Sequence, residues 1–223
     1  MILVLILLVP GFLYYLLTVK GKNRYHPLPK FGPKTVAKTF HRVKGKNIPD
    51  TIYHTLNDFK LYDQDGNPVS LKTLDNKIFV ANFFYTHCPS VCNEINSNVD
   101  SLAKNYAGNK MTYFVSITVD PERDSVKALH DYAKKFTVGL PKRMFLTGDT
   151  ATIYNLARKG FLVNALKTGK DDFIYSDKLV LIDQHKRIRG YYSGASVKDV
   201  LVLNDEIKVL ISEELREREA PLY

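Results

Sequence analysis

Cys88 and Cys92 are the only cysteines in the 223-residue chain, four residues apart in FFYTHCPSVCNEI. Residues i and i+4 share a helix face, so a helix here would turn both sulfurs the same way. At a helix N-terminus, free backbone N–H groups and the dipole favour a thiolate. Pro89 has no N–H and is tolerated in a first helical turn, where none is needed. Three uses of such a pair compete. Two thiolates suit the soft ion Cu(I). A dithiol can exchange with a partner's disulfide. Or the two cysteines simply staple local structure, a reading weakened by the polar Thr86-His87 just before them. Structural zinc wants four ligands, and no further cysteine exists to help.

The elements around the pair follow from hydrophobic period and turn residues. FKLYDQDGNPVSL places Asp65-Gly66-Asn67 between two short alternating runs, a hairpin signal. KIFVANFFY (77–85) is nearly continuously apolar, as a strand buried on both faces should be. A helical period runs through Val91, Ile95, Val99 and Leu102, and MTYFVSITVD (111–120) is the next buried strand. Pro121 interrupts it, and DSVKALHDYAKKF (124–136) predicts an amphipathic helix capped by Asp124. KRMFLTG (142–148) is a third strand, followed by a helix stopped at Gly160. FIYSDKLVLID (173–183) and RIRGYYSG (187–194) predict a second hairpin about Gln184-His185-Lys186. An amphipathic helix from about Ser196 to Arg218 ends the series. Strands alternating with helices predict an α/β fold, a mixed central sheet with helices on both faces, of thioredoxin-like arrangement. The pair then sits at the carboxyl edge of a strand, a common place for α/β sites.

Charge is unevenly distributed. Residues 1–19, MILVLILLVPGFLYYLLTV, carry none, and predict an uncleaved transmembrane anchor near the lower length limit. A cleaved secretory signal is the rival, but no small-x-small site follows. Residues 20–49 contain nine Lys or Arg and no acid, and residues 20–47 are read as a basic juxtamembrane tether. From Asp50 onward acids and bases balance, so the net charge of +9 belongs to the tether. A basic strip beside a bilayer either lies on anionic headgroups or is simply solvated. The balanced body leaves nucleic acid a poor partner. The folded domain is expected over 48–218, with a tail at 219–223. Lys20, Lys22 and Arg24, taken literally, would hold the carboxyl side in the cytoplasm, against an exported redox domain.

FFYTHCPSVCNEI resembles the phenylalanine-rich strand and T-x-C-P-x-x-C motif of the Sco/SenC family of membrane-anchored, thioredoxin-like copper chaperones. SITVDPERDSVKALHDYAKKF is similar to that family's S-V-D-P-x-R-D-T-P stretch and following helix. FLTGD matches its next short strand, and KLVLIDQHKRIRGYYSG its late hairpin. The resemblance runs from about Ile48 to Ile211. It implies an extracytoplasmic domain that delivers copper to cytochrome c oxidase, or reduces the disulfide at its copper site. It implies Cys88 and Cys92 as metal ligands and redox residues, with one histidine near the start of the late hairpin. That histidine is not here: Tyr175 occupies its place. A phenol titrates near 10 and binds Cu(I) poorly, so the expected cargo is Cu(I) between two thiolates, and Cu(II) loses its nitrogen ligand. Tyr175 is expected instead as an aromatic lid or as a donor to a thiolate. A non-catalytic redox sensor or assembly scaffold is the remaining reading.

Of the other histidines, His87 is the best substitute ligand or acid/base helper. His185 lies in a turn and reads as exposed; His130 sits on a helix flank, and His26, His41 and His54 fall outside the motifs. Asp120, Pro121 and Arg123 read as a strand stop with a surface salt bridge, in a loop near the dithiol. The FFY run, Tyr191 and Tyr192 read as packing residues.

Overall fold

The computed structural model describes residues 2–15, 27–43, 45–88, 90–169 and 173–219. After helix α1 (Ile2–Tyr15) come a hairpin of β1 (Lys34–Val43) and β2 (Lys46–Tyr53), and a short ribbon of β3 (Leu61–Tyr62) and β4 (Pro68–Val69). Strand and helix then alternate through β5 (Ile78–Phe84), α2 (Ser90–Asn105), β6 (Thr112–Thr118), α3 (Val126–Ala133), β7 (Arg143–Leu146) and α4 (Thr150–Asn155), which runs on into a π-helical turn at Leu156–Gly160. A second ribbon, β8 (Ala165–Lys167) and β9 (Phe173–Tyr175), precedes β10 (Lys178–Ile182), β11 (Ile188–Ser193) and α5 (Val197–Glu219).

Five strands form the central sheet in the order β11-β10-β5-β6-β7. β5, β6 and β7 run parallel, and β10 is antiparallel to both β5 and β11. All seven residues of β5 are buried, because both sheet faces are covered. Alternate side chains go to opposite layers. Ile78 and Val80 join Ile95, Val99 and Leu102 of α2 and Leu203, Ile207 and Leu210 of α5. Phe79, Ala81 and Phe83 join Leu129 of α3 and Ile153 of α4. The mixed sheet with helices on both faces is the arrangement the sequence predicts.

Three local expectations need correction. Asp124 does not cap α3: Ser125 does, its side chain accepting from the Ala128 N–H. Asp124 is fully buried and accepts from the Thr118 hydroxyl at 2.5 Å. FIY does not continue into β10. β9 pairs instead with β8, in register Ala165 opposite Tyr175, and forms a ribbon outside the central sheet. Residues 34–53, expected largely as tether, form an antiparallel hairpin with Gly45 at φ +81° in its turn. Lys30 and Lys34 lie 4.5 and 5.5 Å from the Tyr53 ring centroid, and Val36, Phe40, Ile48 and Ile52 are exposed.

Of the expected anchor over 1–19 the structure describes α1, 14 residues that include Pro10 and rise about 21 Å, while residues 16–19 lie outside the described residues. Among the described residues no helix is long and apolar enough to cross a membrane. Residues 16–26, Pro89 and 220–223 lie outside the described residues, and the readings of the tether's start, His26, the proline and the tail's end fall there.

Candidate functional site

β5 delivers the chain to the site and α2 receives it. Cys88 lies in the turn after β5, its N–H donating to the Tyr85 carbonyl at 3.2 Å. Cys92 is the third residue of α2, among the first-turn residues whose N–H groups lack intrahelical partners. The two sulfurs converge as expected, and here they are joined in a disulfide. Cys92 is 1% exposed and Cys88 7%, so the pair meets solvent only along the Cys88 side.

Tyr175 closes the site from above. Its Oη lies 2.8 Å from Cys92 Sγ and 3.1 Å from Cys88 Sγ. A disulfide sulfur has no proton to give, so the phenol donates. Burial, and then the neighbouring Tyr85 and Asp177, push the Tyr175 phenol up to about 12. It is therefore a neutral donor at physiological pH, not a phenolate. Tyr85 stands edge-on to Tyr175 with centroids 5.7 Å apart, and packs on Phe173 at 4.9 Å.

The Asp120–Asp124 loop ties the cysteine turn to the Tyr175 ribbon. Asp124 accepts from the Thr86 N–H at 3.0 Å and the Thr86 hydroxyl at 2.5 Å, fixing the turn two residues before Cys88. Arg123 donates to the buried Asp120 carboxylate, and its guanidinium lies 5.8 Å from the Phe173 ring centroid. Glu122 pairs with Lys167 of β8 at 2.6 Å. Asp120 and Arg123 thus form a salt bridge as expected, but with the Asp120 carboxylate buried and not at the surface, and the loop also braces the lid.

Beneath α2 lies a polar layer that sequence reasoning missed. Arg143 of β7 is fully buried and donates to the Asn96 carbonyl at 2.9 Å and to Asn96 Oδ1 at 3.1 Å. Its guanidinium stacks on Phe136 and Phe145, with Asp100 3.7 Å away. Burial pulls it down to about 10, against the pull of Asp100, and leaves it charged. Asn82 and Ser116 complete the layer through Asn82 Nδ2 to Asn96 Oδ1 at 3.3 Å and Ser116 Oγ to Asn82 Oδ1 at 2.7 Å. The isolated polar positions Asn82 and Ser116 within two apolar strands were the available signal.

No histidine joins the sulfurs among the described residues. His87 is exposed, with Nδ1 3.0 Å from the Thr86 hydroxyl, and it lines an open groove with Ala128, Asp131, Tyr132 and Lys135. His185 is exposed beside Glu217, His130 pairs with Asp65, His41 with Asp50, and His54 with the Gly160 carbonyl. Phe83, Phe84, Tyr85 and Tyr192 are buried packing residues, and Tyr191 is partly buried, as expected. The donors at the dithiol are two sulfurs and one phenol. That set fits a soft monovalent ion once the disulfide is reduced, and does not offer the nitrogen that Cu(II) favours.

The SCO1/SenC family matches residues 50–210. The chain belongs to the SCO1/SenC family. A SCO1/SenC family lipoprotein from Bacillus anthracis superposes with a TM-score of 0.66 at 30% identity, over 71% of this chain and 95% of its own. BsSco, a member of the Sco family of cytochrome c oxidase assembly proteins in which a disulfide switch was identified, gives 0.63 at 26%, over 70% and 92%. Arabidopsis thaliana ScoI, solved with copper bound, gives 0.60 at 30%, over 73% and 99%. The Sco fold thus accounts for the mixed sheet of this chain.

Proposed function

We propose that this chain is a copper chaperone that carries Cu(I) between Cys88 and Cys92 and serves the copper site of cytochrome c oxidase. The observation that supports it is the convergence of two sulfurs under a neutral phenol, in a family whose solved relatives include a copper-bound form. Copper is cargo here. The disulfide first takes two electrons and two protons from an external thiol reductant. The two sulfurs then separate far enough to admit the ion, and Tyr175 swings aside or donates to one thiolate. Transfer proceeds as a partner's ligands replace the two thiolates in turn. The test is anaerobic competition between the reduced full chain and a Cu(I) chelator. One Cu(I) per chain, lost in Cys88→Ser/Cys92→Ser, supports the proposal; no uptake overturns it.

The disulfide itself favours a second reading, a thiol:disulfide oxidoreductase. A Cys88 thiolate attacks a partner disulfide and expels one partner thiol. Cys92 then attacks the mixed disulfide, leaving the partner with two thiols and this chain with its disulfide. Cys88, the more exposed residue of the two, is the attacking one. A trapped mixed disulfide in Cys92→Ser supports this reading; its absence, without dithiol turnover, refutes it.

Membrane association on the extracytoplasmic side belongs to the same proposal. The support is the uncharged α1, whose Phe12, Leu13, Tyr14 and Tyr15 are exposed, and a relative described as a lipoprotein. Retention of the full chain in the membrane fraction after alkaline extraction tests it.

A further inference from the structure

A second group of ligand-bearing side chains gathers at the opposite edge of the sheet. β10 runs antiparallel to β5, so its end at Ile182 lies beside Phe79, away from the Cys88 turn that follows Phe84. Beyond that end, His185 sits in the β10–β11 turn, facing Glu214 and Glu217 of α5. The two glutamates are three residues apart and share a helix face. One ligand atom from each of the three residues lies within 4.8 Å of the others. His185 Nε2 is 3.2 Å from Glu217 Oε1.

Acidic residues beside a histidine are common on protein surfaces. Glu214 is what sets this group apart. It is 1% exposed, and its Oε2 has no hydrogen-bond partner among the described residues. A buried carboxylate oxygen without a donor is costly and calls for a counter-charge. The nearby cation Arg187 donates instead to Asp183 at 2.7 Å, and Arg189 is engaged by Asp183 at 3.3 Å and Glu213 at 2.6 Å.

Two contacts tie the turn that carries His185 to α5 and close it. Arg218 Nη2 donates to Gln184 Oε1 at 3.1 Å, clipping the end of α5 to the turn that carries His185. The Lys186 N–H donates to the Asp183 carbonyl at 3.0 Å and closes that turn.

We propose that His185, Glu214 and Glu217 form a binding site for a divalent cation of borderline hardness, for which Zn²⁺ is the reference ion. One imidazole with two carboxylates suits such an ion better than Ca²⁺ or Mg²⁺, which prefer all-oxygen shells, or Cu(I), which prefers sulfur. Ligand bonds of about 2.0–2.2 Å require donor atoms roughly 3.3–3.6 Å apart in a tetrahedron. His185 and Glu217 are exposed and free to close by that amount onto the fixed Glu214. Three protein ligands leave one position for water, so the site is open.

The test uses the full, tag-free chain carrying Cys88→Ser/Cys92→Ser, which removes the thiols and separates this site from the proposed copper function. After chelation, Zn²⁺ is titrated calorimetrically and Co²⁺ by its visible spectrum. The expected result is one ion per chain with tetrahedral Co²⁺ bands, weakened at least tenfold by His185→Ala and by Glu214→Gln, and unchanged by His130→Ala. If Glu214→Gln does not fold, Glu217→Gln takes its place, since that side chain is exposed. Absence of uptake, or uptake indifferent to these replacements, overturns the proposal.

Discussion

The hydroxyl of Tyr175 is 2.8 Å from the sulfur of Cys92, on a ribbon that belongs to neither of the elements carrying the cysteines. The same oxygen is 3.1 Å from the sulfur of Cys88, so one phenol serves both. Reduction turns these sulfurs into much stronger acceptors, and the hydrogen bond to a thiolate is worth more than that to a disulfide.

Tyr175→Phe therefore shifts the equilibrium toward the disulfide, by roughly tenfold for a charge-assisted bond of about 1.5 kcal/mol. Redox titration against a thiol buffer, read by mass-tagging of free thiols, measures it. An unchanged midpoint would show that the phenol merely packs.

Tyr175→His supplies the nitrogen that the site lacks. Reduced protein carrying this replacement is expected to bind Cu(II) at least tenfold more tightly than the parent, by visible absorption and paramagnetic resonance.

Arg143→Ala removes the donors to Asn96 and leaves that residue and Asp100 facing a cavity. The expected loss is about 3–5 kcal/mol, by urea unfolding of the oxidised protein. Weaker protection of the Cys92 disulfide against a small phosphine reductant should accompany it, since Asn96 lies one helical turn beyond Cys92.

Asp100 gives the fold part of its acid sensitivity. Burial alone would raise its pKa, but the Thr137 hydroxyl, the Val138 and Thr137 N–H groups and Lys104 together lower it below 3.8. A depressed folded pKa contributes stability that is present above the unfolded value and lost as pH falls through the folded one. Stability should therefore decline as pH drops below about 4, and Asp100→Asn should be less stable at neutral pH with a shallower acid slope.

Much of this architecture was legible, for definite reasons. β5 and β6 are long apolar runs that need two covered faces, and Asp65-Gly66-Asn67 could only be a turn. Convergence of the sulfurs follows from four-residue spacing at a strand-to-helix junction. The β1–β2 hairpin was hidden because its lysines and arginines read as a solvated linker, while its Val, Thr and Ile residues are shared between two faces. The break between Tyr175 and Lys178 was hidden because both segments are apolar, and only tertiary pairing with Ala165–Lys167 separates them. Arg143 stands near the start of the KRMFLTG strand, and nothing in that stretch signals its burial. Its burial depends on Asn96 and Phe145, which lie at other points in the sequence.

Tyr175 is borne on the β8–β9 ribbon, outside the hydrogen-bonded order of the central sheet. Its side chain takes no part in the hydrogen bonds of the polar layer under α2. Ligand chemistry and scaffold are thus separable inheritances in this molecule: a single substitution on the ribbon can retune which ion or disulfide is handled, with the sulfur-bearing frame conserved intact.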